Sequence, residues 1–183
     1  ANLEAGYEIT MADVRDALAK HGLADVRLLP GDGIFFRTGW GVHWIKDNAK
    51  FNSGEPGIGM EVAKWLSDTV QAGVVGSDTW GLENVPAKDA GCAFCVHAHL
   101  LTRHGIVNQE NMDLDALAAD KAWRFLYMYS PMPIVGATGS AGSPGSGTPA
   151  HCSASATRCS PPRPTASARR SRSRRRSTST TPS

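Results

Sequence analysis

Three of the six histidines in this 183-residue chain, His97, His99 and His104, fall within eight positions, and a carboxylate, Glu110, follows six residues later. Imidazole nitrogens and a carboxylate oxygen are suitable donors for a borderline divalent cation, so the run from Val96 to Glu110 has the outline of metal chemistry. The plain alternative is a solvated helix face whose histidines bind nothing. A second polar group, Ser77-Asp78-Thr79-Trp80-Gly81, follows the apolar Val74-Val75-Gly76. A strand feeding such a loop delivers side chains to its end. There Asp78 and Trp80 either line a substrate pocket or act as a capping carboxylate and a packing aromatic.

The elements that must position these groups can be read in order. Thr10 and Asp13 make a capping-box-like start for a helix in which Met11, Val14 and Leu18 recur at helical spacing, with Gly22 closing it. Two short strands, Val26 to Leu29 and Ile34 to Phe36, are expected around the turn Pro30-Gly31-Asp32-Gly33, where Asp32 is simplest as a turn residue. Periodicity gives out between Thr38 and Gly59, which predicts a long surface loop carrying Trp40, His43 and Trp44. A helix from about Met60 to Gln71, with Val62, Leu66 and Val70 on one face, leads through Gly73 to a buried strand at Val74 to Gly76. A short helix from His97 to Arg103, a turn at Gly105 and an extended piece from Ile106 place Glu110. A brief helix from Asp113 and an aromatic-rich strand from Arg124 to Tyr129 follow. The alternation makes the fold class α/β, a mixed sheet with flanking helices.

Composition divides the chain. Residues 1–136 hold 11 lysines and arginines against all 17 acidic residues, whereas residues 137–183 hold 8 arginines and no acid. The last part is built almost wholly from Ala, Gly, Ser, Thr, Pro and Arg and cannot bury enough apolar surface to order itself, which predicts a disordered tail. Its run Arg169 to Arg176 would attract phosphate groups by charge alone, so polyanion or nucleic-acid binding stands as a second class of function, although the body has no basic reading motif. There is no signal segment at the start and no apolar run near the length of a membrane span, which points to a cytoplasmic protein without a membrane partner. Cys92 and Cys95 are read as free thiols or, with His97 and His99, as a structural zinc cluster of unfavourable spacing.

A family resemblance rests on several short motifs in order. These are Pro30 to Trp40 (Pro-Gly-Asp then Arg-Thr-Gly-Trp), Gly54 to Ile58 (Gly-Glu-Pro-Gly-Ile), Val75 to Trp80 (Val-Gly-Ser-Asp-Thr-Trp), Val96 to Leu101 and Glu110 to Leu114. Together they resemble the Putative cyclase family, which includes bacterial kynurenine formamidases and isatin-hydrolase-like enzymes. The resemblance implies a swivelling β/β/α fold and metal-dependent hydrolysis of an amide bond, either an N-formyl aryl amide or a small cyclic amide. It implies zinc, with manganese as the second choice, and a homo-oligomer as an option for full-length members. It places metal ligands at His97 and Glu110, and leaves His99 and His104 as surface or supporting groups.

The family's His-x-Gly-Thr-His-x-Asp-x-x-x-His motif, which supplies further ligands and the histidine that moves the proton, does not occur in these 183 residues. The expectation is therefore a C-terminal portion of a family member over residues 1–139, incomplete in its metal site, with weak metal binding and no turnover by itself, or else a non-catalytic remnant. Residues 140–183 are expected to be a separate low-complexity tail, consistent with an out-of-frame reading.

Overall fold

The computed structural model describes residues 2–147. Thr10 opens the first helix, α1 (Met11–Lys20), with both halves of the capping box in place: its hydroxyl accepts from the Asp13 amide, and the Asp13 carboxylate accepts from the Thr10 amide at 2.8 Å. Before it lies β1 (Glu8–Ile9), and after it β2 (Gly33–Phe36). The Pro30–Gly33 turn forms as expected, Asp32 Oδ2 accepting from the Leu29 amide at 2.8 Å. The strand expected at Val26 to Leu29 does not form. Two of its four amides are spent locally, Val26 on the Leu23 carbonyl and Leu29 on Asp32.

The segment from Thr38 to Gly59 is not a surface loop. It contains a 3-10 turn at Trp40–His43, α2 (Asn48–Phe51) and β3 (Gly57–Ile58), and Trp40, Phe51, Glu55 and Ile58 are all buried. Pieces of one turn or two residues carry no readable period, which explains why burial here was not apparent from pattern. α3 (Met60–Lys64) continues without a break into a π-helical turn, Trp65–Val70, and then β4 (Val74–Ser77) begins. α4 (Cys95–His97) likewise continues as a π-helical turn, Ala98–Arg103. Gly105, at φ 65°, takes the left-handed conformation in which its own amide and that of Ile106 close onto the carbonyls of Leu101 and Leu100. β5 (Val107–Gln109), α5 (Asp115–Ala119), β6 (Leu126–Pro131) and β7 (Gly142–Gly147) complete the described chain.

β2, β4 and β5 form a parallel sheet with β4 in the middle, in a register that sets Phe36 beside Ser77 and Gly76 beside Gln109. β1 pairs parallel with β3, and β6 pairs antiparallel with β7. The class is α/β, with parallel and antiparallel pairing divided among separate sheets. The core joins Val62, Leu66 and Val70 of the first composite helix to Val96 and Leu100 of the second, with Val75 of β4 and Ile58 of β3. Past Ser140, where a structureless tail was expected to begin, β7 still pairs along the whole of β6, since main-chain hydrogen bonds need no apolar side chains. The remainder of that tail, including Cys152, Cys159 and the arginine run, lies outside the described residues. Among the described residues no helix is long and apolar enough to cross a membrane.

Two substitutions test this local reading. Thr10→Ala removes the cap and should cost about 1 kcal/mol in urea unfolding. Asp78→Ala leaves three buried donors, the Thr38 amide and hydroxyl and the Gly39 amide, without their acceptor and should cost about 3 kcal/mol or more.

Candidate functional site

The three parallel strands all end on one side of their sheet, the side on which open α/β sheets place ligands. Thr38 to Trp40 follow β2, Asp78 to Glu83 follow β4, and Glu110 to Met112 follow β5. Polar contacts lace these strand ends together. Asp78 Oδ1 accepts from the Thr38 amide at 2.8 Å and the Thr38 hydroxyl at 2.6 Å, and Oδ2 accepts from the Gly39 amide at 2.8 Å. The Asn111 amide bonds the Thr79 carbonyl at 2.8 Å, and the Met112 amide bonds the Ser77 carbonyl at 3.0 Å.

His97, from the end of α4, meets this frame between two carboxylates. Its Nδ1 is 2.6 Å from Glu83 Oε1 and its Nε2 is 2.8 Å from Glu110 Oε1. Glu83 is itself fixed, accepting from the amides of Val96 and His97 at 3.2 and 3.0 Å, so one buried side chain caps the start of the helix and orients the ring. The hydrogen bonds to Glu110 and Glu83 raise the His97 pKa to about 9 against the opposing effect of burial. With the proton retained, both ring nitrogens donate.

A third carboxylate stands close enough for the charges of Glu110 and His97 to act on it. Glu55 is fully buried, its Oε2 accepts from the Trp80 amide at 2.6 Å, and its Oε1 has no hydrogen-bond partner. Burial pushes its carboxyl up to about 8, helped by the charge of Glu110. Gly81 makes room for it: a Cβ there would sit 2.7 Å from Glu55 Oε1. An aromatic row adjoins the histidine. Phe94 meets the His97 ring edge-on at 5.4 Å, and Trp80 lies 6.3 Å from Phe94.

The structure brings His97 and Glu110 together as a hydrogen-bonded pair. Trp80 stands in the adjoining aromatic row, its indole N–H donating to the Phe51 carbonyl at 3.1 Å. Asp78 has both oxygens engaged in holding the β2 end, and it also lines a cleft of about 190 Å³ with Trp44, Phe51 and Asn111. His99 and His104 meet Asp68 instead. Cys92 and Cys95, whose Cα atoms are 5.3 Å apart, are joined in a disulfide, so neither the free-thiol reading nor the zinc-cluster reading holds for them. Sequence reasoning did not single out Glu83, Glu55 or Phe94 for the site. Glu55 stood inside the Gly-Glu-Pro-Gly-Ile motif, and Glu83 ends the loop that follows β4, which were the only signals available.

Residues 1–84 match a family model described as Putative cyclase. A crystal structure described as that of a novel cyclase superposes with a TM-score of 0.66 at 34% identity, covering 79% of this chain and 48% of that one. Isatin hydrolase A from Labrenzia aggregata, solved bound to benzyl benzoate, shares the fold with a TM-score of 0.50 at 20% identity, over 78% of this chain and 53% of that one. The chain spans about half the length of these structures. No curated protein matches the sequence.

The two raised pKa values give a testable sign. His97 holds its proton more tightly in the folded chain, so its stabilisation is full below about pH 6.5 and is lost as pH rises through about 9. Glu55 acts in the same direction between about pH 4.5 and 8, because the unfolded carboxyl ionises first. Urea unfolding in the presence of a chelator should therefore show stability falling from about pH 6 to about pH 9, with a shallower fall in His97→Gln. A flat or rising profile would contradict the assignment.

Proposed function

We propose a function from the premise that this chain belongs, along the stretch its family model matches, to the Putative cyclase family. The proposed activity of the protein is metal-dependent hydrolysis of an amide bond, in an N-formyl aryl amide or a small cyclic amide, with His97 and Glu110 as metal ligands. The observation that carries it is the double clamp on His97. One ring nitrogen is fixed by a buried carboxylate and the other faces a second carboxylate, the pattern by which a histidine is held for a cation.

The donor set fits such an ion. The proton shared by His97 Nε2 and Glu110 is what a cation would displace, and Glu55 Oε1 is a buried oxygen with nothing to satisfy it. A zinc ion, or manganese, held by His97 and Glu110 with Glu55 at hand would supply the Lewis acidity that activates water and polarises the amide carbonyl. Glu83 keeps the Nδ1 proton and so keeps Nε2 aimed at Glu110. Phe94 and Trp80 offer flat apolar surface beside that point, suited to an aryl or fused-ring amide. Asp78 serves the site by holding the β2 and β4 ends together.

Zinc titrated into the purified 183-residue protein should bind at this position, and His97→Ala and Glu110→Gln should each weaken that binding by about tenfold or more. Hydrolysis of N-formylkynurenine by these 183 residues alone should be undetectable, since the motif that supplies further ligands and the proton-moving histidine is not among them. Zinc binding indifferent to both substitutions would overturn the ligand assignment. Turnover by the chain alone would overturn the view that its centre is incomplete.

A further inference from the structure

The two histidines that the site leaves out are themselves brought together. One ligand atom from each of Asp68, His99 and His104 lies within 4.8 Å of the others, and the two imidazole rings are 4.4 Å apart between centroids. Their spacing of five residues would not do this on an ordinary α-helix, where five residues advance by about 140° and point the side chains apart. The helical turn Ala98–Arg103 is instead hydrogen-bonded from i to i+5, which stacks residues five apart along one face. Asp68 comes from the other π-helical turn, Trp65–Val70, which packs in the same core through Leu66. Two irregular helices are thus needed to assemble one group of three donors.

We propose that Asp68, His99 and His104 form a second divalent-metal site, separate in its residues from the His97–Glu110 pair. Two imidazoles and one carboxylate are a donor set for zinc, nickel or copper(II), whereas magnesium and calcium take oxygen ligands. Part of the site is set before any ion arrives. Ser67 Oγ lies 2.6 Å from Asp68 Oδ1 and 2.9 Å from His99 Nε2, linking the carboxylate to the half-buried ring. A hydroxyl carries one hydrogen and a carboxylate only accepts, so Ser67 donates to Asp68 and accepts from the His99 Nε2–H. Asp68 and His104 are exposed, which leaves the remaining coordination positions open to water or to an incoming ligand. Asp68 supplies the negative charge felt at His99, against the positive charges of Arg103 and Lys64.

The test uses the full chain carrying His97→Ala, which removes the first proposed site without touching these three residues. Calorimetric titration with zinc alone should still show about one ion bound per chain. Adding Asp68→Asn or His104→Ala, both at exposed positions where folding is not at risk, should weaken that binding by about tenfold or more, and millimolar magnesium should not compete. In the unsubstituted protein NMR gives a second readout: the imidazole resonances of His99 and His104 should move on zinc addition while that of His21, stacked on Trp123, stays put. Failure of the His97→Ala protein to bind zinc would overturn the proposal, as would binding that neither substitution changes, competition by magnesium, or His99 and His104 resonances that do not respond. Because the His97→Ala variant lacks the first site, failure of that site would show separately, as zinc binding by the unsubstituted chain that His97→Ala leaves unchanged.

Discussion

Three short parallel strands that end together release their last backbone amides and carbonyls into one small region, and every buried one needs a partner. That constraint organises the molecule. Asp78 takes up the Thr38 and Gly39 donors, Glu55 takes the Trp80 amide, Glu83 takes two amides at the start of α4, and the segment after β5 bonds back to Ser77 and Thr79. Side-chain carboxylates therefore supply much of the closure where the strands stop. Concentrating negative groups in a half-buried region has an electrostatic consequence: the position between Glu83 and Glu110 favours positive charge, and His97 is the group that sits there and holds its proton.

The same carboxylates thus serve structure and candidate chemistry together. Glu83 is needed to start a helix and to aim a ring. Glu55 is needed by one amide through one oxygen, and its second oxygen is left over. An oxygen buried without a partner is costly, and it lies where the charges of His97 and Glu110 reach it. The second group of donors arises by a different route. There the backbone itself is irregular, and two π-helical turns, not strand ends, bring Asp68 to His99 and His104.

How much of this could be read from the sequence follows from the range of each interaction. The capping box of Thr10 and Asp13 spans three residues and was legible at once, as were the turn at Asp32, the buried Val74–Gly76 strand and the helix that carries His97. His97 and Glu110 could be paired only through motif order, because their contact depends on a helix, a glycine turn and a strand of the right lengths between them. Glu83 and Glu55 stand 14 and 25 positions from the residues they bond, His97 and Trp80, and no local pattern announces such a contact. The burial of Trp40 and Phe51 was hidden for another reason, since they sit in pieces too short to show a period. His99 and His104 have no role that the family resemblance supplies, and their meeting depends on a π-helical turn that no local pattern announces.

The proposed function rests on a divalent cation replacing the proton between His97 and Glu110. Crystals grown with zinc and measured at the zinc absorption edge test it most directly. An anomalous peak is expected between His97 Nε2 and the Glu110 carboxylate, with Nδ1 still bonded to Glu83. An intact hydrogen bond from His97 to Glu110 and no peak beside it, in crystals that contain zinc elsewhere, would contradict it.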